Sequence, residues 1–204
     1  MNSRSDGPLL IDRAPWQPPP RDTTPSTASD YTGAPLYYDV INLSDGSHAI
    51  AYWFFHAYNH KSLLAGATAQ NHEGDWEHIV LHFSSTWSPR STTYFQHEGC
   101  TQSLTWASTP RNGGGTHPNV YSALGSHASY PTSGSHKICG LAGVVYDYTS
   151  ASGKRWYTWG NLANIANYYG VNFGGAWGEV GNFEFTTGPS GPRWKAALPS
   201  RWAA

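Results

Sequence analysis

Short runs of apolar and aromatic residues alternate with turn-forming residues along most of the chain. The clearest run spans residues 50–58, and similar runs cover residues 35–41, 76–83, 92–97 and 101–106. Runs of this length, rich in aromatic and β-branched residues and bounded by Gly, Asn, Asp or Ser, predict β-strands. The first half of the chain is therefore expected to be mostly strand.

The second half of the chain has a weaker pattern and more glycine. Residues 118–124 and 138–148 predict two further strands, and residues 161–168 are the best candidate for a helix of one or two turns. Residues 111–115 and 174–192 are glycine-rich and predict loops. Many short strands with one or two short helices predict an all-β fold, specifically a β-sandwich with long decorated loops.

The composition of the N-terminus separates a first segment from the rest of the chain. Residues 1–34 contain the proline run 18–20 and a polar, turn-rich stretch, so we predict an extended N-terminal arm. Residues 35–204 are long enough to bury a core. We predict that they form a single β-sandwich domain, and we expect the protein to be a monomer.

Charge and hydropathy limit the classes of partner. A net charge of -1 and scattered Lys and Arg residues argue against a nucleic-acid-binding surface. No apolar run reaches the length of about 18 residues that a transmembrane helix needs. The N-terminus lacks the apolar segment of a signal peptide, yet the low charge and 15% aromatic content favour an extracellular protein, with a cytoplasmic location left open. Cys100 and Cys139 allow one disulfide or two separate thiols.

The densest polar cluster is residues 71–78, which hold two histidines and three carboxylates directly before the apolar residues 79–81. Alternate side chains of a strand share a face, so Asp75 and Glu77 are expected to point the same way. His72 is expected to reach that side from the preceding loop. One imidazole and two carboxylates predict a divalent-metal site. The alternative is that Asp75 and Glu77 are solvated residues at the start of a strand.

Three other polar residues, Asn59, His97 and His127, lie at predicted strand ends. Loops collect at the ends of a β-sandwich, so these residues are expected to share a pocket with the cluster. His97 and His127 are open between metal ligand, proton carrier and structural histidine. Asp147 is expected to be a turn residue. Four further histidines are expected at the surface: His48, His60, His82 and His136.

The predicted donor set restricts the choice of metal. Oxygen-rich ligands with one imidazole favour Ca²⁺, Mg²⁺ or Mn²⁺. If His97 and His127 also coordinate, Zn²⁺ becomes the expected ion.

Five short motifs together resemble the vacuolar protein sorting protein 62 family. They are the aromatic run 51–55, the sequence His-Glu-Gly-Asp-Trp-Glu at 72–77, and the stretches 117–121, 125–130 and 188–192. Their order and spacing are similar to those of the family over residues 36–195. The resemblance implies a fold group and the position of a site, and it implies no particular biochemistry.

The chain is more distantly similar to necrosis- and ethylene-inducing peptide-like proteins, which carry a His-x-x-Asp-Trp-Glu signature. Those proteins are β-sandwich cytolysins that hold a divalent ion and bind sphingolipid head groups of plant membranes. The resemblance implies that His72, Asp75 and Glu77 are metal ligands. It also implies that Asn59 takes the position of an Asp ligand, and that His97 belongs to the same site. Asn in place of Asp removes one charge, which predicts a weaker site for Mg²⁺ or Ca²⁺.

Two functions are expected from these residues. The first is a secreted, divalent-metal-dependent binding protein that recognises a carbohydrate or glycolipid head group in a strand-end pocket, with peripheral membrane contact and cytolysis as an outcome. The second is a metal-dependent hydrolase or lyase that acts on a small-molecule substrate and uses His97, His127 and Glu77 for proton transfer. A third alternative is an ion that only holds loops together.

Overall fold

A computed structural model describes most of the chain from residue 34 to residue 194. Residues 61, 65–66, 69–70, 98–99, 113–114, 140–144, 168 and 183–185 are outside the described part, as are residues 1–33 and 195–204. The predicted N-terminal arm therefore lies outside the described residues, except for residue 34.

A six-stranded sheet forms the centre of the fold. Its strands are Leu36–Asn42 (β1), His48–Asn59 (β2), His72–Phe83 (β5), Pro89–Gln96 (β6), Cys100–Thr105 (β7) and Leu162–Asn164 (β12). They lie in the order β12-β1-β2-β5-β6-β7, and the pairings are antiparallel except that of β1 with β12, which is parallel. A two-stranded hairpin, Ser62–Leu64 (β3) and Ala67–Thr68 (β4), lies in the chain between β2 and β5.

Two small antiparallel ribbons follow the sheet in the chain. The first is Tyr121–Ser122 (β8) with Ser129–Tyr130 (β9), and the second is Gly134–Lys137 (β10) with Tyr146–Thr149 (β11). The described helices are single 3₁₀ turns, and none is long and apolar enough to cross a membrane. These turns are Trp106–Ser108, Thr158–Gly160, Ile165–Asn167, Tyr169–Asn172 and Pro192–Trp194. The prediction of an all-β fold is confirmed.

The predicted helix over residues 161–168 is wrong. Leu162–Asn164 instead forms the short strand β12, and a 3₁₀ turn over Ile165–Asn167 follows it. The strand pairs with β1 in parallel, with Leu36 opposite Leu162. Without this partner the edge of β1 would present unpaired backbone groups, and satisfying them outweighs a weak local preference for helix.

Both faces of the central strands are covered by apolar side chains. On one face, Trp53 and Trp76 pack with Ile165 and Trp177 from the C-terminal part of the chain. The other face carries a second cluster built from Ile79, Leu81 and Tyr94, with Val120 packed against it. Burial on both faces explains why residues 50–58 read as a continuous apolar run rather than an alternating one.

The C-terminal segment packs tightly against the start of β5. Trp177 contacts the edge of Trp76, with ring centroids 5.2 Å apart. The next residue, Gly178, has a φ of +135°, and a Cβ at this position would overlap the backbone carbonyl of Glu73. Glycine is therefore required at position 178 both for its backbone conformation and for the close approach to β5.

Gly178→Ala is expected to lower the free energy of unfolding by roughly 3 kcal/mol, because it combines backbone strain with overpacking against a main chain. Urea unfolding followed by Trp fluorescence measures the loss. Gly160→Ala is the matched control, since a Cβ at Gly160 meets no atom within 4 Å. Equal stabilities of the two variants would contradict the expected clash.

Candidate functional site

The candidate site begins where the face of Ile79 and Leu81 becomes polar toward the start of β5. Strand β5 begins at His72, earlier than the predicted position 76, because its pairing with β2 continues as far as the pair of Asn59 with His72. Asp75 pairs with His56 in this register, and Asp75 is only 5% exposed. A buried carboxylate is costly unless it has a partner, so its contacts identify the site.

His127 is the hydrogen-bond partner of Asp75. Its Nδ1 lies 3.0 Å from Asp75 Oδ2, and because a carboxylate only accepts, Nδ1 carries the proton and donates it. The His127 ring also stacks on His56, with centroids 4.0 Å apart and planes within 4°. The His127 side chain keeps 21% of its surface exposed, so a ligand can reach the ring.

His56 is a neutral neighbour of this pair. Burial has the largest effect on the pKa of His56 and lowers it, the nearby His127 also lowers it, and the negative charge of Asp75 raises it, which leaves the pKa at about 3. His56 therefore stays uncharged near neutral pH. The neutral His56 ring adds no charge next to His127, whereas Asp75 places a negative charge there.

A second network surrounds Asp147, whose side chain is fully buried. His97 Nε2 lies 2.7 Å from Asp147 Oδ2, and the Tyr130 hydroxyl donates to the same oxygen at 2.8 Å. The Ser126 hydroxyl donates to Oδ1 at 2.8 Å. Asp147 thus joins the turn after β6, the turn between β8 and β9, and strand β9 itself.

The phenol of Tyr130 connects this network to Glu77. Burial raises the pKa of Tyr130 most, the hydrogen bond to Asp147 and its negative charge raise it further, and Glu77 adds a smaller effect. The phenol therefore remains protonated and acts as a donor. The negative charges of Asp147 and Glu77 therefore both act on this phenol.

The two candidate histidines share an unusual backbone conformation. His97 has a φ of 48° and His127 a φ of 56°. Among the non-glycine residues that the structure describes, only Trp87 also has a positive φ. This conformation costs an L-residue about 1–2 kcal/mol and is concentrated at functional sites. The backbone strain at both positions independently indicates that these histidines belong to a functional site.

The residues predicted as metal ligands occupy two separate contacts. Asn59 Nδ2 donates to His72 Nε2 at 3.0 Å, and His72 Nδ1 donates to the carbonyl of Gly74 at 2.8 Å. Asp75 contacts His127 instead. Within the described residues, no group of three or more His, Cys, Asp or Glu side chains is arranged to hold a metal ion. The structure therefore brings Asn59 next to His72, while Asp75 contacts His127.

Several site residues were missed in the sequence. Asp147 was expected to be a turn residue, which is wrong: it lies within β11 and is completely buried. The signal in the sequence was that Asp147 lies between two tyrosines, Tyr146 and Tyr148. Alternate positions of a strand face opposite sides, so Asp147 points inward where the two tyrosines, which are 38% and 57% exposed, point outward. His56, Ser126 and Tyr130 carried no comparable local signal. His82, expected at the surface, is half-buried, and burial lowers its pKa.

Comparison with known proteins assigns a family to most of the described chain. The sequence model of the family described as vacuolar protein sorting-associated protein 62 matches residues 19–150. The matched range includes both histidine–carboxylate pairs. No curated protein and no solved structure matches the chain.

Proposed function

Since the chain belongs to the vacuolar protein sorting-associated protein 62 family, a name that describes no chemical reaction, we propose from the site itself that the protein is a hydrolase. The observation that supports this most is the 3.0 Å contact between His127 and the buried Asp75. A histidine held by a buried carboxylate is a recurring arrangement for moving protons in acyl and glycosyl transfer. The expected substrates are small polar esters or glycosides.

His127 is suited to act as the general base. Asp75 accepts the Nδ1 proton, which orients the ring and leaves the lone pair on Nε2. That nitrogen can accept a proton from water or from a substrate hydroxyl. As the imidazolium forms, the Asp75 carboxylate stabilises its positive charge.

His97 is suited to act as the second proton-transfer group. Its Nε2 donates to Asp147, which leaves Nδ1 as the nitrogen that can exchange a proton with a substrate. Like His127, it keeps 21% of its side chain exposed. The negative charge of Glu77 also acts on the Tyr130 phenol, which is hydrogen-bonded to the same carboxylate as His97.

Divalent-cation-dependent binding of a glycan or glycolipid head group is the second candidate. It is supported by the orientation of His72, whose Nδ1–H is held by the carbonyl of Gly74 while Nε2 faces Asn59. Histidines that bind metals commonly donate the other ring nitrogen to a backbone carbonyl in this way. A bound cation would supply direct coordination of sugar hydroxyl groups. Exposed aromatic rings, such as Tyr148, offer surfaces on which sugars stack.

We propose an extracellular location on the basis of the covalent structure. Cys100 and Cys139 form a disulfide, with Cα atoms 6.1 Å apart. Disulfides persist mainly in oxidising compartments. The bond supports the expectation of secretion that the composition raised.

Assays of the purified protein against p-nitrophenyl esters and p-nitrophenyl glycosides test the hydrolase proposal. His127→Ala and His97→Ala are each expected to reduce turnover by about 10²-fold or more. His48→Ala is the control, because His48 stacks on Trp87 in the opposite part of β2 and touches neither pair. If the wild type turns over no substrate, or if His127→Ala remains fully active, the hydrolase proposal fails. Glycan binding that is abolished by EDTA would then favour the second candidate.

A further inference from the structure

We infer that Asp147 is a positioning residue for both histidines of the site, holding His97 directly and His127 through the turn that carries it. This inference rests on the proposed hydrolytic function. It extends that function to a strand, β11, that is hydrogen-bonded only to β10 among the described strands and does not belong to the central sheet. In this role Asp147 orients the reacting groups and does not contact the substrate.

The direct contact sets the tautomer of His97. Asp147 Oδ2 is 2.7 Å from His97 Nε2, so the ring proton is on Nε2 and the lone pair is on Nδ1. His97 follows the last residue of β6 and has a φ of 48°. The hydrogen bond therefore stabilises a side chain on a strained backbone, where it would otherwise have few constraints.

The other oxygen of Asp147 holds the turn that contains His127. Ser126, the residue before His127, donates its hydroxyl to Oδ1 at 2.8 Å. The same turn is tied to β11 by a backbone hydrogen bond from Leu124 N to Tyr148 O at 2.8 Å. These two contacts restrict the turn on both sides of Gly125. They support the left-handed conformation of His127, which directs its ring toward Asp75.

Three donors converge on the Asp147 carboxylate, and this determines what it can do. Tyr130 and His97 share Oδ2, and Ser126 takes Oδ1. Because the phenol of Tyr130 stays protonated, Asp147 accepts from it, and a buried carboxylate surrounded by donors is ionised. Its two oxygens orient three groups from three different segments of the chain.

Asp147→Asn preserves the shape of the side chain and removes this capacity. An amide has one accepting oxygen, and its nitrogen brings two hydrogens toward groups that also donate. At least one donor must then turn away or change its protonation. The Ser126 hydroxyl can rotate and accept from the amide NH₂ group, so Asp147→Asn can keep its oxygen on His97. Asp147→Leu is the sharper variant, because it has a similar size and offers His97 no acceptor.

Long-range ¹⁵N–¹H NMR spectra of the imidazole rings test the inference without a substrate. At a pH where the same spectra show both rings to be neutral, wild-type His97 is expected as the Nε2–H tautomer and His127 as the Nδ1–H tautomer. Asp147→Leu removes the acceptor and is expected to release His97 into a mixture of the two tautomers. Tyr130→Phe keeps the carboxylate and is expected to leave the His97 tautomer unchanged. Asp45→Leu, in an exposed turn, is the matched control for the substitution.

Two outcomes would overturn the inference. One is a wild-type His97 with its proton on Nδ1, a result that needs no variant to fold. The other is an unchanged His97 tautomer in Asp147→Leu. Once a substrate is identified, Asp147→Asn is expected to lower kcat by at least about tenfold with little change in KM, because His97 would lose the charge that orients it for proton transfer. If the NMR result is as expected and no substrate is turned over, the hydrolase proposal fails while the positioning of His97 by Asp147 stands.

Discussion

Asp75→Asn is expected to reduce turnover at the site by on the order of 10²-fold, close to the effect of removing His127 itself. The carboxylate accepts the Nδ1 proton of His127 at 3.0 Å. An amide can present its NH₂ group instead, which favours the tautomer with the proton on Nε2. The nitrogen that should accept a proton would then already carry one. An imidazolium formed during the reaction would also lose its stabilising charge.

Kinetics over a range of pH separate this effect from a loss of folding. For Asp75→Asn we expect kcat to fall and KM to change little at every pH at which the variant is folded. Asp75→Glu keeps the charge and is expected to retain more activity than the amide. Asp45→Asn serves as the exposed control. Wild-type kcat in Asp75→Asn would show that His127 does not depend on this carboxylate.

Removal of the Cys100–Cys139 disulfide is expected to destabilise the fold by about 4 kcal/mol. The two cysteines are separated by 39 residues, and opening a loop of that length restores chain entropy to the unfolded state. For a chain of this size the corresponding fall in Tm is about 8–16 °C. Cys100→Ala with Cys139→Ala keeps both positions apolar, which suits the buried Cys100.

The disulfide also bears on the site, because it links two segments of the Asp147 network. Cys100 begins β7, shortly after His97, and Cys139 follows β10, the partner strand of β11. We expect the double variant to broaden the His97 NMR signals as well as to lower Tm. Wild-type protein treated with dithiothreitol is the control and should match the variant. Equal melting temperatures for oxidised and reduced wild type would contradict the expected contribution.

In both histidine–carboxylate pairs the carboxylate is buried and the histidine is partly exposed. Asp75 and Asp147 are both buried, and each is in contact with a histidine that reaches the surface. Proton transfer needs the exposed ring nitrogens, whereas orientation and charge stabilisation come from carboxylates that water does not screen. This division places the reactive atoms outside and the orienting groups inside.

The central sheet was largely predictable from local pattern. Residues 50–58, 76–83, 92–97 and 101–106 were expected as strands, and the structure places β2, β5, β6 and β7 over them. Strand ends were less predictable, because pairing with a neighbour extends a strand beyond its apolar residues. The start of β5 shows this, since its polar residues pair with β2 as far as Asn59.

The strand-end position of His97, directly after β6, was visible in the sequence, whereas His127 lies within the turn between β8 and β9. His97 and His127 each follow an apolar stretch and precede a turn, so both were expected at strand ends. Their partners were not visible. His127 lies 52 positions from Asp75, and His97 lies 50 positions from Asp147. Whether Asn59 and His72 converge with Asp75 also depends on contacts between distant segments. No local pattern contains such contacts.

The sequence by itself determined the class of fold, most strands of the central sheet, and the location of His97 at the end of β6. These features follow from the two-residue period of a strand and from turn-forming residues, which act over a few neighbouring positions. Only the tertiary structure decided that Asp75 orients His127, that Asp147 is buried beneath His97, and that residues 162–164 complete the sheet. Such contacts depend on how the ribbons β8–β9 and β10–β11 fold onto the sheet. That placement results from the summed burial and hydrogen bonding of many distant residues, which no single stretch of the chain encodes.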